Sequence, residues 1–136
     1  MGYTVFTMDT QSLKGIKVVW VEDDRFLAGM VGKRMIETGA LLTQVVDGAK
    51  AFDTVKLVQP HVVVLDLLMP NVDGFEILRQ IKAHEATKAV PVIVLSNLGQ
   101  KSEIDRATEL GAAKFIVKAT VGFDQIVPEI AKVLKK

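Results

Sequence analysis

Five short runs rich in valine and isoleucine, set apart by longer stretches of helical periodicity, decide what this chain can fold into. The runs fall at roughly 16–21, 41–46, 61–66, 91–95 and 113–117. They mostly lack polar alternation, which is how strands buried on both faces look. The first helical stretch, 26–38, carries Leu27, Met30, Val31 and Ile36 near helical spacing, with Gly39 placed as a C′ stop. The second, 47–58, ends before Pro60, and the third, 73–84, carries Phe75, Ile77, Leu78 and Ile81. The fourth, 102–110, stops at Gly111. The fifth, 123–134, contains Pro128, which a helix tolerates in its first turn.

Strict alternation of strand and helix predicts a (βα)5 chain. Because parallel crossovers are right-handed, the helices cover both faces of the sheet. The expected fold is α/β, a doubly wound, flavodoxin-like three-layer sandwich with parallel strand order 2-1-3-4-5. At 136 residues the chain fits one domain and is too short for an eight-stranded barrel. Residues 1–14 read as a flexible extension before a domain spanning 15–136.

Composition excludes several function classes. Seventeen basic residues against sixteen acidic give a net charge of +1, with no general pull toward nucleic acid or an anionic membrane. There is no cysteine, so disulfides, thiol catalysis and thiolate metal sites are out, and a reducing, cytoplasmic location is expected. No run reaches the roughly 18 apolar residues of a membrane span. Met1 to Gln11 lacks a basic segment followed by an apolar run, so it does not read as a secretory signal. Nothing after the fifth helix reads as an effector domain.

Polar residues with chemistry sit where the strands should stop. Glu22, Asp23 and Asp24 follow the first run, Asp66 the third, Ser96 the fourth and Lys118 the fifth. In open parallel sheets, ligands bind outside the carboxyl ends of the strands. Acids crowded there resist ionisation unless a cation joins them, and Mg²⁺ suits such oxygen ligands. The set fits phosphoryl transfer to a carboxylate: an aspartate nucleophile, paired acids for the metal, a hydroxyl for a phosphoryl oxygen, and an ammonium for the spread charge. Each residue also has a structural reading. An acidic triplet after an apolar run is commonly a solvated loop or a helix cap, and Asp24 and Asp73 read as N-caps of the first and third helices. Alone, Ser96 would be any strand-end hydroxyl, Phe115 a core residue and Lys118 a surface lysine. His61 and His84 have no spaced partner and read as structural. Gly99 to Ser102 lacks a phosphate-loop pattern, and Trp20 reads as packing.

Four segments occur in order: Val21-Glu22-Asp23-Asp24, Val64-Leu65-Asp66-Leu67-Leu68-Met69-Pro70-Asn71-Val72-Asp73-Gly74, Val94-Leu95-Ser96, and Phe115-Ile116-Val117-Lys118. In them the chain resembles a receiver domain of the two-component response-regulator family, from roughly Ile16 onward. The resemblance implies that Asp66 is the phosphoacceptor. It implies that Glu22, Asp23, Asp66 and the backbone carbonyl of Leu68 hold Mg²⁺, with Asp23 the more direct ligand. Ser96 becomes the switch hydroxyl, Lys118 the partner of the phosphoryl oxygens, and Phe115 the switch aromatic. It also implies a sensor histidine kinase or histidine phosphotransfer protein as donor. A downstream protein or a second copy would bind the surface of the fourth helix, fifth strand and fifth helix, with no direct nucleic-acid contact and no membrane insertion. The domain would catalyse only its own phosphorylation and dephosphorylation.

The chain departs from the family pattern in three places. Lys118 is followed by Ala119 rather than the usual proline, so that bond is either trans or cis under strain, at about 3–4 kcal/mol. Asn97 stands where a smaller residue is common; it either narrows access for the donor or donates a hydrogen bond to the phosphoryl group. Leu68 and Leu98 flank the expected path of the hydrolytic water, and neither orients it, so slow self-dephosphorylation is expected. Two other function classes compete. An aspartyl phosphatase of the haloacid dehalogenase type wants a second acid two residues after the nucleophile, where this chain has Leu68. A receiver-like scaffold that takes no phosphate is opposed by the complete set of Glu22, Asp23, Asp66, Ser96 and Lys118.

Overall fold

The computed structural model describes residues 12–97, 99–118 and 123–135. Its elements run β1 (Lys17–Val21), α1 (Arg25–Glu37), β2 (Leu41–Val45), α2 (Ala51–Val58), β3 (Val62–Asp66), α3 (Gly74–Ala83), β4 (Val92–Ser96), α4 (Lys101–Glu109), β5 (Lys114–Val117) and α5 (Phe123–Leu134). A one-turn 3₁₀ segment, Gly48–Lys50, precedes α2. The five strands form one parallel sheet in the order β2-β1-β3-β4-β5. This is the expected doubly wound three-layer arrangement.

Why the strands were legible is visible in their burial. Every residue of β3 and β4 is buried, because helices cover both faces. On one face Val19, Val63, Leu65, Val92 and Val94 pack with Val55 of α2 and Leu78 and Ile81 of α3. On the other, Val18, Trp20, Val64 and Ile93 pack with Met35 of α1 and Ile130 of α5. Each fully buried side chain of this size stabilises the fold by roughly 1.5–3 kcal/mol. Leu13, within the stretch expected to precede the domain, is 1% exposed and joins the second cluster. Its N–H donates to the carbonyl of Thr38. Residues 1–11 of that expected extension lie outside the described residues.

Two expectations are corrected, and one element is new. In α1 the buried residues are Ala28, Val31, Gly32 and Met35, whereas Phe26 is 76% exposed and Met30 and Ile36 also face solvent. Small residues let the helix approach β2, where the side chain of Gln44 donates to the carbonyl of Ala28 and presses on Gly32. Pro128 lies not in the first turn of α5 but at its sixth residue, where its missing N–H forfeits a helical bond to Asp124. The loop after β3 is a short antiparallel hairpin, with Leu68–Met69 paired to Val72–Asp73. Proline at the second position of its turn and Asn71 at φ 62° in the third give the type II signature.

The helix ends follow local chemistry. Asp24 Oδ1 accepts the N–H groups of Phe26 and Leu27, and Asp73 Oδ1 accepts that of Phe75, so both act as N-caps. Gly39 and Gly111, at φ 84° and 103°, close α1 and α4. His61 Nδ1 accepts the N–H of Lys17 and His84 Nδ1 that of Ala86, which makes both structural. Among the described residues no helix is long and apolar enough to cross a membrane.

Candidate functional site at the carboxyl edge

Parallel register brings the strand ends together. Val21 pairs with Leu65, Asp66 with Leu95, and Ser96 with Val117. The residues that follow these positions therefore share one edge of the sheet. Lys118 Nζ stands 2.9 Å from Glu22 Oε1 and 2.9 Å from Asp66 Oδ2. It thereby ties β5 to the ends of β1 and β3. The second oxygen of each acid is held by backbone: Glu22 Oε2 accepts the N–H of Asp24 at 3.3 Å, and Asp66 Oδ1 accepts that of Leu68 at 3.0 Å.

Glu22 and Asp66 are buried and Asp23 is half-buried. Glu22, Asp23 and Asp66 each offer one oxygen within 4.8 Å of the others. Three carboxylates against one ammonium leave an excess of negative charge, and hard oxygen donors at this spacing suit a divalent cation such as Mg²⁺. The residues therefore fit the expected metal. Burial raises the pKa of Glu22, and the nearby Asp66 charge raises it further, against the hydrogen bonds from Lys118 and the Asp24 N–H. Burial alone would lower the pKa of Lys118, but its hydrogen bonds and charge contacts with Glu22 and Asp66 prevail and raise it.

Ser96 is fully buried at the end of β4, beside the strand that delivers Asp66. Asn97 is exposed and shares a cavity of about 300 Å³ with Glu22, Lys118, Leu27 and Trp20. Trp20 is packed, as the sequence suggests, but it also floors this cavity beside the acidic cluster. Phe115 is half-buried and rests on the cluster that α2, α3 and α4 cover. Leu68 is 49% exposed at the mouth. Leu98 and the Lys118–Ala119 bond lie outside the described residues.

Sequence reasoning missed the part played by Gly74. A Cβ there would come within 2.5 Å of the Cα of Leu67. The first residue of α3 thus presses against the backbone just after Asp66, and only a glycine allows it. The signal was present in the Asp73-Gly74 pair, which reads as a cap and a permissive residue but carries no sign of what it touches.

The chain matches the response regulator receiver domain family over residues 18–131. It is 29% identical over 102 residues to the DNA-binding dual master transcriptional regulator RpaA of Synechocystis, covering 75% of this chain and 42% of that protein. The structure superposes on the non-phosphorylated HemR receiver domain of Leptospira biflexa with a TM-score of 0.81 and 26% identity, covering 89% of this chain and 95% of that one. It also superposes on the Mn²⁺-bound form of response regulator Rcp1 with a TM-score of 0.70 and 22% identity, covering 87% and 91%. The chain spans only 15% to 52% of the length of four curated relatives that it matches. A match across residues 18–131, on a sheet whose strand ends converge on Asp66, makes this chain a member of the response regulator receiver domain family.

Proposed function

We propose that this chain is a phosphoacceptor switch in which Asp66 takes a phosphoryl group from a phosphohistidine. A carboxylate oxygen of Asp66 attacks phosphorus, the phosphorus–nitrogen bond breaks, and the imidazole of the donor leaves. The observation that carries this reading is the double contact of Lys118, 2.9 Å from both Glu22 and Asp66, across sequence separations of 96 and 52 residues. Taking these charges out of water costs desolvation that their attraction does not readily repay, so stability alone is a poor reason for the convergence. Glu22, Asp23, Asp66 and the carbonyl of Leu68 would hold Mg²⁺, which when bound supplies positive charge to the phosphoryl oxygens. Lys118 adds its ammonium to that neutralisation, and the Leu68 N–H orients the Asp66 carboxylate. Ser96 approaches the phosphoryl group and Asn97 lies beside it. Phe115 then shifts with Ser96 and changes the surface formed by α4, β5 and α5, which a downstream protein or a second copy recognises. The ligand acts through differential contacts in two states.

The partners follow from the chemistry. A sensor histidine kinase or a histidine phosphotransfer protein must present its histidine at the carboxyl edge, which puts the reaction in the cytoplasm with the donor. Phe26, in the first turn of α1 after Asp24, and Leu68, two residues after Asp66, are exposed next to that edge in the chain and offer apolar contact area for such a donor.

Asp66→Asn tests the assignment. The variant is expected to lose acid-labile phosphate incorporation from a small acyl phosphate, while its fold stays intact. Labelling equal to that of the unaltered chain would sink the reading.

A further inference from the structure

Among the described residues the sheet has two open edges, and they are guarded differently. β5 is four residues long and begins with Lys114. β2, at the opposite edge, reads Leu41-Leu42-Thr43-Gln44-Val45 and holds neither charge nor proline. Sheets normally blunt such edges with lysine, proline, bulges or short strands, because an open row of N–H and C=O groups templates pairing. The Leu41 N–H bonds to the carbonyl of Ile16, and the Glu22 N–H to that of Val45. In a parallel ladder alternate residues serve one neighbour, so Leu41, Thr43 and Val45 bond β1. Leu42 and Gln44 therefore turn their backbone groups to the open side.

Exposed apolar residues gather at one end of this edge. Leu41 is 59% exposed and Leu57 is 85% exposed. Leu41 shares its strand face with Val45, which packs on Ala51 and Val55 of α2. Because α2 runs back to where the strands begin, Leu57 in its last turn lies at the Leu41 end, on the same face. The other end of the edge carries a groove of about 380 Å³, lined by Thr43, Gln44, Val45, Val46 and Thr54 together with the charged Arg25, Asp47 and Lys50. Knob and groove thus sit at opposite ends of one unguarded strand.

We propose that β2 pairs antiparallel with β2 of a second copy of this chain, about a two-fold axis at Thr43. In that register Leu42 of each copy faces Gln44 of the other, and each such pair exchanges both backbone hydrogen bonds. The two Thr43 residues meet as the close pair, about 4.5 Å apart at Cα. Leu41 and Leu57 of each copy enter the groove of the other. The contact is isologous, and it closes at two copies because each chain has one such edge among the described residues. It lies on the far side of the sheet from the α4–β5–α5 surface and does not depend on phosphorylation.

Sedimentation of the full chain over a concentration series tests this. The expected species has twice the 14.9 kDa chain mass, with or without an acyl phosphate. Thr43→Lys sets like charges across the axis, and Leu57→Asp charges the exposed knob. Each should weaken association by about tenfold or more, with unchanged far-UV circular dichroism. The chain has no cysteine, so Thr43→Cys offers a single thiol. Mild oxidation should link it across the axis, where the Cα separation suits a disulfide. Lys114→Cys, on the other edge, should stay unlinked. A monomer at every concentration, a dimer formed only after acyl phosphate treatment, or equal linking of the two cysteine variants would overturn the proposal. None of these readouts requires Asp66 to accept phosphate.

Discussion

At Gly74 the first turn of α3 lies against the main chain of Leu67, one residue beyond Asp66. A methyl group there meets backbone atoms at 2.5 and 2.8 Å, which cannot rotate away. The hairpin and the carboxylate must then shift together. Gly74→Ala is expected to destabilise the fold by about 1–3 kcal/mol, as overpacking does. It should also slow phosphorylation from a small acyl phosphate more than Gly99→Ala, whose Cβ meets only Val117 methyl groups at 3.5 Å. Urea denaturation and initial rates of labelling measure the two effects. Equal rates for the two variants would show that the contact does not position Asp66. Asn71 makes a related demand: its φ of 62° suits asparagine or glycine, and a β-branched residue there would strain the same hairpin.

Among the elements, α5 holds a defect and α1 an exposed face, and each makes a prediction. Pro128 is exposed at the sixth residue of α5 and costs the helix one hydrogen bond and a steric clash. Replacing it with alanine restores the N–H, while the unfolded chain gains freedom that offsets part of the benefit. Pro128→Ala is therefore expected to stabilise by about 2 kcal/mol, read as a higher urea midpoint with an unchanged slope. In α1, Phe26 and Met30 face solvent one turn apart beside the acidic edge. Phe26→Asp should slow transfer from a phosphohistidine protein by tenfold or so, about 1.4 kcal/mol, yet leave labelling by a small acyl phosphate unchanged. Loss of both activities would mean that the residue supports the site itself. The same helix shows where sequence legibility ended. Strands β3 and β4 were readable because burial on two faces demands unbroken apolar runs. In α1 the spacing of large apolar residues misled, since Ala28 and Gly32 make the close contact while Phe26, Met30 and Ile36 stay outside. The hairpin of Leu68–Met69 and Val72–Asp73 is too short for any period to show. Glu22, Asp66 and Lys118 were each legible as strand-end residues. That one ammonium would hold both acids follows from register and distance, which no local pattern encodes.

On the scale of the whole molecule, Lys118 ties the edge strand β5 to a pair of strands that the sheet order keeps away from it: β4 lies between β5 and β3, and β3 and β4 lie between β5 and β1. The lysine is thus both a neutralising charge and a cross-tie over the carboxyl edge. Removing it leaves Glu22 and Asp66, both buried, facing each other with Asp23 nearby. An uncompensated buried charge pair of this kind is expensive, so Lys118→Ala should lose about 3 kcal/mol of stability in the presence of a chelator. The same change raises the local excess of negative charge by one, which strengthens attraction for a divalent cation. Mg²⁺ that binds only the folded chain stabilises it by about 2.7 kcal/mol at one hundred times its dissociation constant. Millimolar Mg²⁺ should therefore recover more stability in Lys118→Ala than in the unaltered chain, and less in Asp23→Asn than in either. Urea titrations of the three chains, with chelator and with Mg²⁺, give the comparison directly. If Mg²⁺ shifts all three midpoints alike, the carboxylates do not share a cation, and the excess charge at this edge is balanced by something other than a metal.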